Sequence, residues 1–224
     1  MSEHTGNRTV SITIRTCLCA MLVMGVVGCR FNVGVLRSVL GDTLVASSFE
    51  ARTGTDLTKS EDRLLILCTA GQSVLDESAS LPVDVVTKVA GHLRVRGIDV
   101  VDPDEVANWL DDTGSLDDMS GLATELEADY IAVIQLQSLS HKESGSIDLF
   151  KARATGRIAV YEVVHDEENR IAMRYETALN ESYPRASPIA AHTTSEGMFR
   201  KQTLDYLSEV IARQFHSYHP RETI

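Results

Sequence analysis

Apolar positions recur with different spacings along the chain, and each spacing predicts a different element. The run RLLILCT at 63–69 is almost continuously apolar, which is typical of a short strand buried on both faces of a sheet. Further along, Val86, Val89 and Leu93 repeat at helical spacing. The pattern therefore predicts a buried strand and an amphipathic helix, joined by a polar loop at 70–80.

Shorter elements follow this first pair. The stretch IDVVD at 98–102 has the composition of a second strand. Pro103 is suited to the start of a helix over 104–111, and Ser115 precedes a further helix over 117–128.

The spacing then changes to alternation, which is typical of strands with one face in water. Three such segments lie at 129–140, 150–164 and 169–182, with turn residues between them. They predict an antiparallel meander with one wet face. A last helix is expected over 194–217, with Thr193 as its N-cap.

The element order β-α-β-α-α-β-β-β-α predicts an α/β (α+β) fold, a mixed sheet of about five strands with helices packed on it. The single domain is expected to cover 63–224. Residues 29–62 form an anchor and tether in this interpretation, with 50–62 as the polar linker. Apolar positions within 33–46 have the spacing of a short amphipathic helix, or belong to a mobile tether.

A basic leader with Arg8 and Arg15 precedes an uncharged stretch at 17–27, which ends in Val-Val-Gly-Cys at 26–29. Eleven uncharged residues are too few to span a bilayer, which needs about 20. The length instead fits the apolar region of a secretory signal peptide.

The sequence VVGC resembles the lipobox of bacterial lipoproteins, in which aliphatic residues and a small residue precede a cysteine. The resemblance implies a signal peptide at 1–28, cleaved between Gly28 and Cys29. It also implies a diacylglyceryl group on the Cys29 thiol and a fatty acid such as palmitate on the new amino group. Arg30 stands where an Asp favours inner-membrane retention, so the outer membrane is expected. An ordinary cleaved signal or a buried helix is the alternative.

A second resemblance concerns the domain. The segment EADYIAVIQLQSL at 127–139 resembles the first meander strand of small α/β domains in several envelope proteins. These are the penicillin-binding-protein activators, the curli-secretion pore subunit and the N-terminal domain of the Tol-system β-propeller protein. The resemblance covers 63–217 and implies a shared topology, and function inferred from it is analogy. A pore is not expected, because charged residues flank the meander strands.

Charge and composition narrow the choice of partner. The chain has 21 Lys and Arg against 32 Asp and Glu, a net charge of −11, and only 5% aromatic residues. We therefore expect no nucleic-acid partner, because an acidic surface repels phosphate. After cleavage only Cys29 and Cys68 remain, and Cys68 is expected to pack as a small hydrophobic residue.

Few residues suggest catalysis or metal binding. Ser73 lies in GQSVL, which lacks the final glycine of a hydrolase elbow. An acidic stretch supplies possible calcium ligands, but its spacing is not that of an EF-hand, and helix caps explain most of its members. Its members are Asp99, Asp102, Asp104, Glu105, Asp111, Asp112, Asp117 and Asp118.

The histidines give no stronger signal. His216 and His219 could share a metal but are interpreted as solvated residues, whereas His141, His165 and His192 are expected in loops without partners. No cofactor or metal is predicted.

These observations favour a non-catalytic lipoprotein of the cell envelope, tethered to the periplasmic face of a membrane. The alternative is an envelope hydrolase that uses Ser73 or an acidic pair. The expected partner surface is the wet face of the meander, which binds an acidic protein or an envelope polymer, or binds nothing. Its expected members are Arg153, Arg157, Arg170, Arg174 and Glu176.

Overall fold

The computed structural model describes residues 44–113, 115–116, 118–164 and 170–219. In chain order they form α1 (Ser48–Thr53), β1 (Leu64–Ala70), α2 (Gln72–Glu77), α3 (Leu81–Val95), α4 (Pro103–Thr113), α5 (Met119–Glu125), β2 (Tyr130–Lys142), β3 (Leu149–Val164), β4 (Arg170–Tyr183), β5 (Ile189–Ala190) and α6 (Glu196–Ala212). The signal peptide, Cys29 and most of the predicted helix at 33–46 lie outside these residues. The last three residues of that segment, 44–46, are not helical.

The strands form one mixed sheet in the order β1-β2-β3-β4, with β5 paired to the start of β3. β1 runs parallel to β2, and the other pairs are antiparallel. The predicted fold class and the C-terminal meander are therefore confirmed.

Two hydrophobic cores lie on opposite faces of the sheet. The α3–α6 core packs α1, α3 and α6 against one face and includes Ile66 and Ile134. The α4–α5 core packs α4 and α5 against the other face and includes Leu65 and Ile131. Successive residues of β1 and β2 alternate between the two cores, which is why RLLILCT is almost continuously apolar.

The fifth strand is not the predicted one. Residues 98–102 make only an isolated parallel bridge, between Val100 and Leu64. Leu64 donates its amide to the carbonyl of Asp99 (2.9 Å) and accepts from the amide of Val101 (3.0 Å). α4 then begins at Pro103, which takes the chain away from the sheet.

Several predicted element limits also change. The supposed loop at 70–80 contains α2. α6 is capped by Ser195 rather than Thr193, since the Ser195 hydroxyl accepts from the amide of Met198. α5 is capped by Asp118, whose carboxylate accepts from the amide of Gly121 (2.8 Å). This hydrogen bond is the main reason that the pKa of Asp118 lies below its ordinary value.

The compact unit that contains the sheet begins at Val45, before the predicted domain start at residue 63. Phe49 is fully buried and its ring centroid lies 5.5 Å from that of Tyr130 and 5.9 Å from that of Phe215. Leu57 is 1% exposed. These two side chains belong to the α3–α6 core, which cannot be complete without residues before 63.

Close backbone contact fixes the β2–β3 register at Gly156. Gly156 lies opposite Leu136, where the pairing shifts by one residue before Ser138. A methyl group on Gly156 would overlap the carbonyl oxygen of Gln135 and lie 3.2 Å from the Cα of Leu136. Both obstacles belong to the backbone of β2, so no side-chain movement relieves them.

We predict that Gly156→Ala lowers the free energy of unfolding by about 1–3 kcal/mol, because the methyl group displaces the neighbouring strand. Gly91→Ala is the matched control, since a methyl group there meets nothing within 4 Å in the middle of α3. It should raise the free energy of unfolding by about 0.5–1 kcal/mol. Urea unfolding of both variants measures the difference, and equal effects would contradict the assignment.

Candidate functional site

The arginines predicted to share one wet face lie on two faces of the sheet. Arg153 and Arg157 are two alternations apart on β3, and Glu176 of β4 lies beside Arg157. We call this surface the open face: it is the part of the α4–α5 side that extends beyond the helices. Its members are Gln135, Ser138, Glu143, Arg153, Thr155, Arg157 and Glu176.

Arg170 and Arg174 lie on the opposite side. The register pairs Val160 with Tyr175 but Tyr161 with Met173, so β4 has one extra residue, Arg174, at this point. The bulge reverses the alternation, and Tyr175 joins the α3–α6 core although Ile171 faces the α4–α5 core. The prediction of a single wet face is therefore wrong.

Three of the arginines predicted to form a basic surface have carboxylate partners. Arg153 binds Glu143 at 2.7 Å, and this hydrogen bond lowers the pKa of Glu143. Arg157 binds Glu176 at 3.0 Å and donates to the side-chain oxygen of Gln135 at 2.6 Å.

Arg174 binds Glu162, on the other side of the sheet. The positive charge of each of these three arginines is therefore neutralised by a carboxylate on or next to an adjacent strand. Cross-strand ion pairs of this kind stabilise a sheet modestly.

The acidic stretch is dispersed. Asp102 accepts from the amide of Asp104 at the start of α4, and Glu105 lies 3.5 Å from Arg63. Among the residues that the structure describes, no group of three or more His, Cys, Asp or Glu could hold a metal ion.

The predicted hydroxyl nucleophile is exposed. Ser73 lies on the outer side of α2, and within the described ranges no hydrogen bond joins it to a histidine or a carboxylate. The next residue, Val74, points inward and is 1% exposed.

Two histidines differ from their expected state. His216 is 2% exposed rather than solvated, and its Nδ1 lies 3.0 Å from the carbonyl oxygen of Ser217. His141 lies in β2 rather than in a loop, is 8% exposed, and has a partner.

That partner belongs to an ion-pair cluster between β2, α2 and α6. His141 Nδ1 lies 2.9 Å from Glu77 Oε1. The same carboxylate oxygen lies 2.9 Å from the guanidinium of Arg200, which also binds Glu196 at 2.8 Å. The hydrogen bond from Arg200 lowers the pKa of Glu196. The ring of Phe199 meets the imidazole edge-on, at 6.4 Å between centroids.

The hydrogen-bond chemistry of this cluster fixes the imidazole. An ionised carboxylate only accepts, so Nδ1 of His141 carries the proton that faces Glu77, and Nε2 has a free lone pair when the ring is neutral. Among the described residues Nε2 has no partner, although it is not one of the fully enclosed unpaired atoms.

His141 lines a cleft of about 250 Å³, which we call the His141 cleft. Its floor is apolar and includes Leu81, Leu139 and Leu204. Its polar members come from two parts of the fold: Glu77, Ser78 and Asp84 from α2 and α3 with their connection, and His141, Arg200 and Lys201 from β2 and α6. An apolar floor with a few converging polar groups is the usual composition of a small-molecule site.

No predicted site residue lies in this cleft. The sequence signal that could have indicated it is weak: His141 ends the alternating pattern of β2, and Arg200 follows Glu196 at helical spacing. Glu77 is 64 residues from its imidazole partner, and no local pattern relates the two.

A second, smaller depression of about 120 Å³ lies between α3 and α4. Its lining is apolar and includes Cys68, Val83 and Val106. Within the described residues Cys68 is a free cysteine, and burial raises the pKa of its thiol to about 12.

Comparison with known proteins gives structural matches only. No protein-family model matches the chain, and no curated protein matches it in sequence. A solved PelC variant dodecamer from Paraburkholderia phytofirmans is 10% identical with a TM-score of 0.43, over 78% of this chain and 97% of that one.

Two further solved structures are similar. The hypothetical protein CT253 from Chlamydia trachomatis is 13% identical with a TM-score of 0.41, over 70% of this chain and 98% of that one. Lipoprotein GNA1162 from Neisseria meningitidis is 9% identical with a TM-score of 0.39, over 67% and 98%. These scores are below 0.5, so we transfer neither function nor assembly from these proteins.

We predict that Cys68 resists alkylation in the native protein at pH 8, because the reaction requires a thiolate and the pKa of this thiol is raised to about 12. A thiol introduced by Val83→Cys should react rapidly, because position 83 is 66% exposed on the same depression. Mass spectrometry after iodoacetamide treatment distinguishes the two sites. Rapid native labelling of Cys68 would contradict its burial.

Proposed function

We propose that the protein is a non-catalytic lipoprotein of the cell envelope that is anchored through lipid on Cys29 and binds a partner through its α/β domain. The observation that carries the anchor is the sequence itself: a basic leader, a short apolar run, Gly28 and Cys29 occur in the lipobox order. Two or three acyl chains on one cysteine give stable membrane attachment.

The start of the folded unit supports a short connection to the membrane. Sixteen residue steps separate Cys29 from Val45, where the compact unit begins. A chain of this length reaches at most about 55 Å when fully extended. The domain would therefore act close to the periplasmic surface of its membrane. Arg30 favours the outer membrane in this proposal. Within the described ranges, no helix has the length and apolarity needed to cross a bilayer.

The open face is the partner surface that we propose. It presents the Arg153–Glu143 and Arg157–Glu176 pairs together with the hydroxyls of Ser138 and Thr155, which lie 2.6 Å apart. Because positive and negative groups alternate there, it favours a partner with a mixed, complementary charge pattern over a uniformly acidic polymer.

We predict that Cys29→Ser abolishes acyl labelling and releases the protein from the membrane fraction, because the serine hydroxyl cannot form the thioether. Metabolic labelling with a fatty-acid analogue and fractionation of cells measure both effects. Cys68→Ser is the control and should leave both unchanged. If the Cys29 variant still sediments with membranes at the wild-type level, the lipid anchor is the wrong explanation.

We predict that Arg153→Glu with Arg157→Glu selectively weakens capture of the partner in cells. The reversals place like charges beside Glu143 and Glu176 and remove the complementary pattern. Arg174→Glu is the control for each of the two single reversals, since it makes the same change beside Glu162 on the opposite side of the sheet. Crosslinking from the tethered protein, with mass spectrometry, measures the captured amount. Equal capture by both variants, with equal melting temperatures, would exclude the open face.

A further inference from the structure

Basic and acidic side chains on α3 and α6 pair at regular intervals. Lys88 lies 2.5 Å from Asp205, and His92 lies 3.0 Å from Glu209. Each pair is four residues after the one before it on both helices, so α3 and α6 run in parallel with their facing positions in register.

The preceding step of this series is Asp84 and Lys201. Here the acidic residue is on α3 and the basic residue is on α6, the reverse of Lys88 and Asp205. No ion pair joins Asp84 and Lys201 within the described part of the chain. Both instead line the His141 cleft. Asp84 accepts a hydrogen bond from the Ser80 hydroxyl at 2.9 Å, and Lys201 is exposed.

The unpaired side chains of Asp84 and Lys201 can bind a ligand that carries both a positive and a negative group. The carboxylate of Asp84 comes from α3 and the ammonium group of Lys201 from α6, and the apolar side chains of Leu81, Leu139 and Leu204 line the same cleft. A ligand with a single charge would pair with one of these groups and leave the other unpaired.

His141 adds a directional group to this arrangement. Glu77, which is itself bound by Arg200, accepts the hydrogen bond from Nδ1, and in the neutral ring Nε2 is then an acceptor for an N–H group in the cleft. Glu77 is a positioning residue here, since it acts on the ligand through the imidazole.

We propose that the His141 cleft binds a small zwitterion: an amino acid or dipeptide with an apolar side chain. Its ammonium group pairs with Asp84, its carboxylate with Lys201, and its apolar side chain covers the leucine floor. The volume of about 250 Å³ admits a ligand of this size. The bound ligand completes the charge series between α3 and α6. The inference extends the proposed binding role by naming a ligand class, and it does not depend on acylation.

Calorimetry on the full-length chain with Cys29→Ser, kept in a mild detergent, tests the proposal. The probes are leucine and the dipeptide Ala-Leu. 4-Methylpentanoate lacks the ammonium group of leucine, and 3-methylbutylamine lacks its carboxylate. We expect a zwitterion to bind and each analogue to bind at least about tenfold more weakly, because each loses a charge-assisted hydrogen bond. Absence of binding by both zwitterions at millimolar concentration, or equal binding by a singly charged analogue, would overturn the proposal.

Variants identify the site of binding. Asp84→Asn and Lys201→Gln should each weaken leucine or dipeptide binding about tenfold. Lys142→Gln makes the same charge change on nearby β2, outside the cleft lining, and should leave affinity unchanged. An equal loss in both lysine variants would show a general charge effect and overturn the assignment.

The ligand-free protein supplies a second readout. In a double-mutant cycle on thermal stability without ligand, Asp84→Asn and Lys201→Gln should be additive, since the two side chains are not paired. Strong coupling would mean that Asp84 and Lys201 form an ordinary ion pair with each other, and the proposal would fail. The anchor test is independent: membrane release of the Cys29 variant with no ligand binding would overturn only the cleft.

Discussion

Burial of β1 and β2 on both faces is the constraint on which the rest of the structure depends. The two strands pair in parallel from Leu64 opposite Tyr130 to Ala70 opposite Leu136, and side chains of both alternate between two cores. A parallel pair of this kind needs helices on each side, because neither face can be left in water. α1, α3 and α6 cover one side, and α4 and α5 cover the other.

The two helical layers cover different amounts of the sheet, and this difference decides where polar groups can lie. Because α4 and α5 cover only part of their side, the remaining part of β2, β3 and β4 has to carry polar residues. The charges of Arg153 and Arg157 are balanced locally by carboxylates, so the open face is stable in water without a partner. A surface of this kind gives specificity through its charge pattern more than through net charge.

The His141 cleft lies in the thicker layer, between the N-terminal parts of α3 and α6. Its polar groups come from four elements, and the apolar lining partly shields the contacts of Glu77 with His141 and Arg200 from solvent. Partial burial strengthens these interactions compared with exposed pairs such as Arg157–Glu176. The imidazole is therefore held in one orientation, which is the property that a binding site requires of its polar groups.

The amino-acid sequence by itself determined the elements that depend on local pattern. The apolar run at 64–70 follows from burial on both faces of the sheet, and the helical spacing in α3 follows from burial of one stripe of the helix. The alternation of the meander follows from burial of one face of each strand. Only the tertiary structure decided the burial of Phe49, the bulge at Arg174 and the hydrogen bond of His141 with Glu77. A short helix can join the core through a single aromatic side chain, and one extra residue reverses which face of the sheet a strand presents. A hydrogen bond across 64 residues depends on how β2 and α2 meet. None of these interactions repeats along the chain, so spacing alone could not predict them.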